Sequence, residues 1–523
     1  VVDFTQYKAP GVYVEDTTRP LVTSSQQSGS LAVLIGPGRG YQSVTEVLRA
    51  YSTPASAVPF GHLGAFKDAQ VGPPAIAEPV VKDASGTTLV RGSDYSFSST
   101  GSGATIQVSI TRLADDADVT DVSIASPLGV ADGDYFTVSY NYADSAYYTP
   151  LVYEEFDGIA NVYGEPFVTS SSAVNSPLSL AAKIAFENGA GRLMILPTDP
   201  ADGTYQEQLV AAYAKVVTDY RAGMVVPLFV HGYSSNDGTD TTVSDTNDYT
   251  SLASYITDVK THVNAATAEG YGRIAFVGAP SDYDETNGGF DDLAIAAASK
   301  RVVVIYPPKI NLYNSTANET IEVSGYYIAA GLTGILAGQA VERGITRQIL
   351  TSFVSLPSSI FQAMTKVFKD TLSSSGVTVV ETDRLQRLTV RHGVTTNMAS
   401  LDTREISLVR IADALYQAVQ FGMDNSGLIG EPIDEEMPSR VKGSLVGILE
   451  QAINDDVIIS WDGLQVRQQS LPGGDPTVIE CKFSYKPAVP LNYITVQFQI
   501  DLQTGLLDFQ DDTLGSGSEG ATV

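Results

Sequence analysis

The stretch from Leu151 to Pro307 limits the fold more than any other. Four helical periods lie in it, and each hands over to a short apolar run. Over 178–188, Leu180, Ile184 and Ala185 share one helical face, and 192–196 follows as a strand. Over 206–221, Leu209, Ala212, Tyr213, Val216 and Val217 are in phase, and 224–230 is the next strand. Helices at 251–269 and 293–299 lead into strands at 273–278 and 302–307. Strands buried on both faces read as continuous apolar runs instead of alternating ones. Repeated helix-then-strand units therefore predict a mostly parallel sheet with helices on both sides and right-handed connections.

An earlier strand is expected at 31–35, ending in Gly36-Pro37-Gly38-Arg39-Gly40. That turn lacks a Gly-Lys-Ser/Thr ending, and Pro37 removes a backbone donor, so it reads as a plain turn and not as a phosphate loop. Between about 51 and 143 helical periodicity vanishes. Short strands at 87–91, 105–110, 119–124 and 135–142 alternate with Gly, Ser and Asp turns, which predicts an inserted all-β module. Loops rich in Asp, Ser and Thr follow at 234–250 and near Asp282. The spacing of Asp237, Asp240, Asp245 and Asp248 does not fit an EF-hand, so both loops read as solvated. A long helix is expected over 323–343, with Gly325, Gly331, Gly334 and Gly338 allowing close approach of another backbone.

The last part reads as an α+β unit. Strands are expected at 376–381 and 384–391, and a helix at 405–423 with Leu408, Ile411, Ala412, Leu415 and Val419 as its buried stripe. A loop at 425–438 precedes a second helix at 439–454, followed by strands at 457–459, 477–486 and 491–502. In the last of these Ile494, Val496, Phe498 and Ile500 alternate with polar residues. Val12, Tyr13 and Val14, flanked by Pro10 and Gly11, form a matching extended element near the start. Either strand pairs within its own chain or leaves as an arm to pair elsewhere, because main-chain groups at a sheet edge seek partners.

A chain of 523 residues exceeds one hydrophobic core. The divisions expected are an N-terminal arm at 1–28, an α/β body at 29–50 and 144–350, the β module at 51–143, an α+β assembly domain at 351–510 and a tail at 511–523. With 60 Asp and Glu against 31 Lys and Arg, the net charge of −29 opposes direct nucleic-acid binding. The most apolar run, 326–341, is short and interrupted by Gly and Thr, so it predicts a buried helix and no membrane insertion. No apolar stretch of the secretory kind opens the sequence.

Catalytic signatures are sparse. The one cysteine, Cys481, excludes a disulfide within the chain and a cysteine metal cluster. It is expected to be buried on the face of Ile479, Phe483 and Tyr485. No Gly-x-Ser-x-Gly, His-Glu-x-x-His or Cys-x-x-Cys motif occurs. His231, just after a strand, is the best catalytic candidate, yet it has no evident nucleophile. Carboxylate pairs of the glycosidase kind stay open, since their members are distant in sequence. The expectation is no catalytic residue, no cofactor and no metal, with a carbohydrate-active or surface-binding protein bearing a β accessory module as the alternative.

In this order along the chain, several segments resemble contractile bacteriophage tail sheath proteins and the sheaths of related contractile injection systems. They are Pro10-Gly11-Val12-Tyr13-Val14-Glu15, the 31–40 strand and turn, Phe156-Asp157-Gly158-Ile159-Ala160-Asn161-Val162-Tyr163-Gly164, Phe186-Glu187-Asn188-Gly189-Ala190-Gly191-Arg192, and the 440–505 unit with Leu491-Asn492-Tyr493-Ile494. The β module lies outside the resemblance. The resemblance implies a structural virion-tail subunit, assembled in the host cytoplasm as hexameric rings stacked into a helical sheath around a tail tube. Baseplate and tail terminator proteins are further partners, and contraction drives the tube through a cell envelope. It also implies that the terminal strands at Val12–Val14 and Ile494–Ile500 are exchanged between subunits. Joints would lie near Gly29, Pro487 and Pro490, and Arg440 and Lys442 would face the tube.

Overall fold

The computed structural model describes residues 31–38, 41–49, 57–59, 61, 79–82, 86–91, 95–100, 107–112, 135–143, 145–167, 174–199, 202–230, 249–283, 289–470, 474–492, 499–500 and 507–508. Its centre is an eight-stranded sheet. In spatial order the strands are Leu388–Val390, Val377–Thr382, Val302–Tyr306, Ile274–Gly278, Ala222–Pro227, Leu31–Pro37, Leu193–Thr198 and Leu151–Tyr153. The six inner strands are parallel, and the two outermost run antiparallel to their neighbours. Leu34 is paired between Ile195 and Val226. The inner strands from Leu31 to Tyr306 are buried along their whole length, as their unbroken apolar sequences require.

Two expected boundaries change. The strands 377–382 and 388–390 continue the central sheet by pairing Val377 with Val304. A division at 350 would cut that sheet, so the C-terminal unit proper begins with the helix Ile406–Asp424. At the other end, Tyr41–Arg49 pairs along nine residues with Tyr135–Ala143. The insertion therefore starts at 41, not 51, and leaves the body through this strand pair, with Val80–Lys82 added along Tyr135–Ala143. Of its expected strands, 105–110 appears as Gln107–Arg112, 87–91 contributes only isolated bridges at Thr88 and Arg91, and 119–124 lies outside the described residues.

The helices begin where the chemistry favours it. Ser176 accepts the Ser179 N–H at 3.2 Å ahead of Pro177, and Thr204 with Glu207 forms a reciprocal capping box before Tyr205–Val216. Phe156–Tyr163, expected to precede the first helix, is itself helical. The long helix expected over 323–343 divides. Val323 belongs to a hairpin of Lys309–Asn314 and Glu319–Ser324, and the helix runs from Tyr326 to Ala337.

That helix is buried on nearly all sides, and its glycines explain how. A Cβ at Gly334 would collide with the Ala185 backbone, and one at Gly338 with the Gly189 carbonyl. A Cβ at Gly331 would lie 2.9 Å from Leu350 Cδ2. The glycine stripe thus lets Tyr326–Ala337 lie directly against Pro177–Glu187, beneath the sheet.

Candidate assembly site

The helix Ile406–Asp424 joins two regions with different chemistry. Ile406 and Val409 enter the core of the body, whereas Leu415, Val419 and Met423 pack on Met437, Val441, Leu445 and Leu449 of the next helix, Met437–Asn454. Its third face is polar and buried: Arg410, Asp413 and Gln417 recur at helical spacing. Arg410 donates to the Leu336 carbonyl at 2.8 Å, capping the C-terminal end of the buried glycine helix. Asp413 meets Arg301, which stands just before a central strand. Burial lowers the Arg410 pKa to about 10, partly opposed by Glu342. The C-terminal unit is thereby fixed to the body by oriented charges as well as by packing.

A second capping arginine lies within the body. Arg273, fully buried, donates to the carbonyls of Val216 at 2.6 Å, Val217 at 3.1 Å and Asp219 at 3.0 Å, where Tyr205–Val216 ends. His262 lies 3.4 Å from it and stacks on Tyr213. Burial first, and the Arg273 charge second, lower the His262 pKa to about 3, so the imidazole is neutral.

Beyond Met437–Asn454 the chain forms a ribbon, Ile458–Gln468 against Ile479–Pro487. Trp461, Leu464, Val466, Ile479, Phe483 and Tyr485 turn toward the helix pair, and Trp461 Nε1 donates to Glu450 at 3.1 Å. Most of the first strand escaped the sequence reading because its alternation breaks. The register shifts between Asp462 and Gln465, with Gly463 at φ +68°, and the inner face passes from Trp461 to Leu464. Cys481, expected to be buried, is exposed at the surface opposite Val466. Among the described residues this sheet has two strands only, so both outer edges present main-chain donors and acceptors. Isolated two-stranded ribbons are marginal, and the cover of the helix pair holds this one in place.

The expected site residues fall as follows. Val12, Tyr13, Val14, Gly29, Ile494, Val496 and Phe498 lie outside the described residues. Ile500 stands opposite Leu507 in a two-residue ladder within the chain, which occupies one of its edges. Pro487 is buried and paired with Ile458. Pro490 rests over Gly344. Arg440 is not a free cation: it bridges Glu431 at 2.6 Å and Asp434 at 2.9 Å and so clamps the loop before its helix. Lys442 is exposed to solvent. His231 lies outside the described residues. Among the described residues no group of three or more His, Cys, Asp or Glu is placed to hold a metal, and no helix is long and apolar enough to cross a membrane.

The α/β body, with its helix pair and two-stranded ribbon, has a fold found in contractile sheath structures. Across 95% of this chain and 100% of the other, the fold matches the helical sheath of the anti-feeding prophage in its contracted state, with a TM-score of 0.50 and 13% identity. In sequence the chain is 27% identical over 428 residues to the tail sheath protein of Mycobacterium phage Bxz1, covering 82% of this chain and 68% of that protein. No protein-family model matches the chain. The resemblance to contractile tail sheath proteins read from the sequence is borne out by these sheath relatives.

Proposed function

We propose that this chain is the sheath subunit of a contractile tail. Copies polymerise as stacked hexameric rings around a tail tube, between a baseplate and a tail terminator, and contraction drives the tube through a host envelope. One observation carries the reading: a ribbon that has only two strands among the described residues, held on a helix pair tied to the body by buried charges. Strands from neighbouring copies, at Val12–Val14 and Ile494–Ile500, complete that sheet. Main-chain ladders of this kind persist while rigid bodies rotate, so copies stay linked as the sheath shortens. Any joint lies outside the anchored residues, near Gly29 and after Pro490. Lys442, more than Arg440, is available to the tube. The scheme needs no nucleotide, since contraction releases energy stored during assembly.

Negative-stain microscopy of the purified protein tests this. Helical cylinders are expected, and they should be lost on deleting residues 1–20 while the truncated chain remains folded. Unaltered long cylinders from the truncated chain would contradict arm exchange. Hydrolysis in a glycan panel, abolished by one carboxylate substitution, would favour a carbohydrate-active protein instead.

A further inference from the structure

In a chain of net charge −29, residues 342–404 hold eight of the 31 Lys and Arg but only five of the 60 Asp and Glu. The fold gathers much of this surplus at one edge of the central sheet. Glu381 is held by Lys369 at 2.6 Å, Arg391 at 3.1 Å and Arg347 at 3.2 Å, while Asp370 is shared between Arg391 and Lys366. Four cations thus surround two carboxylates. The helix Lys366–Ser374 packs antiparallel on the strand Val377–Thr382, so its start lies at the same end as the turn Asp383–Arg387. Two apolar side chains stand out in solvent at that end: Val367 is 75% exposed and Leu385 69%. Beside them are the 87% exposed side chain of Lys366 and the exposed Arg384, which has no partner among the described residues.

The opposite chemistry lies on the loop between the two C-terminal helices. Asp424, Glu431, Asp434, Glu435 and Glu436 are exposed there, with no Lys or Arg in 424–436, and the exposed Ile429 stands among them. Arg440 engages Glu431 and Asp434, which fixes the loop and leaves Glu435 and Glu436 without a cation among the described residues.

We propose that the basic face of Lys366 and Arg384, around Val367 and Leu385, docks the acidic 424–436 loop of a second copy of this chain. One member sets exposed Val367 and Leu385 in a region where cations outnumber carboxylates, the other sets exposed Ile429 in one where carboxylates outnumber cations. Such complementarity selects partner and register. The contact is head-to-tail, so a pair of copies keeps one free face and one free loop, and the contact propagates to further copies as a ring or a helical array. The inference rests on the sheath reading for the presence of neighbouring copies, but it does not involve the terminal arms.

A charge exchange tests it. One variant carries Lys366→Glu with Arg384→Glu, and the other Glu435→Lys with Glu436→Lys. All four positions are exposed, and circular dichroism with thermal unfolding confirms that each variant folds. Alone, each variant should raise the protein concentration needed for assembly by about tenfold or more. An equimolar mixture of the two, or one chain with all four changes, should restore assembly. Carbodiimide treatment of mixed 14N and 15N wild-type protein should join Lys366 to Glu435 or Glu436 in mixed-isotope peptides. Variants that assemble like wild type, a mixture no better than its parts, or cylinders without that cross-link would overturn the interface and leave the sheath reading standing. Mixed-isotope cross-links in a protein that never forms cylinders would support the interface and contradict the sheath reading.

Discussion

Arg301 and Asp413 pair in the interior, joining the start of a central strand to the middle of the helix Ile406–Asp424. The two residues are 112 positions apart, and both side chains are nearly inaccessible. Asp413 also lies against Gly272, where an added Cβ would have no room. The joint between body and C-terminal unit is therefore a fitted polar contact that tolerates little change at either partner.

Asp413→Ala leaves Arg301 buried without its counter-charge. Removing one partner of a buried pair costs about 3–5 kcal/mol. Chemical denaturation of the soluble protein should show a loss of that order. A change below about 1 kcal/mol, the range of surface pairs, would show that the pair adds little to the joint.

Gly334→Ala places a methyl group against the Ala185 backbone, which cannot move aside as a side-chain tip does. Overpacking of this kind costs about 1–3 kcal/mol, and more where backbone must shift. Gly443→Ala provides the comparison, since a Cβ there meets nothing within 4 Å and replaces a poor helix former. Thermal unfolding should fall for the first and hold or rise for the second.

His262 gives the fold an acid sensitivity of known sign. Its pKa falls from 6.5 in the unfolded chain to about 3 when folded, chiefly through burial. As pH drops, the unfolded state takes up the proton first. Stability present above about pH 6.5 is then lost on acidification, at about 1.4 kcal/mol per pH unit for one proton. His262→Gln should flatten the stability curve between pH 6.5 and 5, where few carboxylates titrate. Equal slopes for the two proteins would contradict the neutral, buried imidazole.

Arg440 closes a fork on Glu431 and Asp434, and it holds the Asp434 carboxyl below its usual range mainly by hydrogen bonding. Arg440→Ala should free the 425–436 loop without unfolding the helix pair. Limited proteolysis should cut that loop faster, while the circular dichroism spectrum stays unchanged. Unaltered cleavage would mean that the loop is held by other contacts.

The parallel core was legible because its strands are fully buried, and burial on both faces writes itself as unbroken apolar runs such as Val302–Tyr306. The stripe Leu408, Ile411, Leu415 and Val419 was legible for the same reason on a helix. What escaped has physical causes. Arg410, Asp413 and Gln417 look solvent-facing in sequence, because their burial depends on partners in other segments, such as Leu336 and Arg301. The strands 377–382 and 388–390 were visible, but which sheet they join is a matter of topology, and periodicity carries none. The bulge at Gly463 erased the alternation of the ribbon's first strand.

The central claim is that the ribbon edges at Ile458–Gln468 and Ile479–Pro487 receive strands from other copies. An electron cryomicroscopy map of the assembled protein, at a resolution that traces main-chain hydrogen bonds, addresses it directly. Residues 12–14 or 494–500 of a neighbouring copy should lie in register along at least one of those edges. A polymer whose ribbons stay two-stranded, with both chain ends packed on their own subunit, would contradict it.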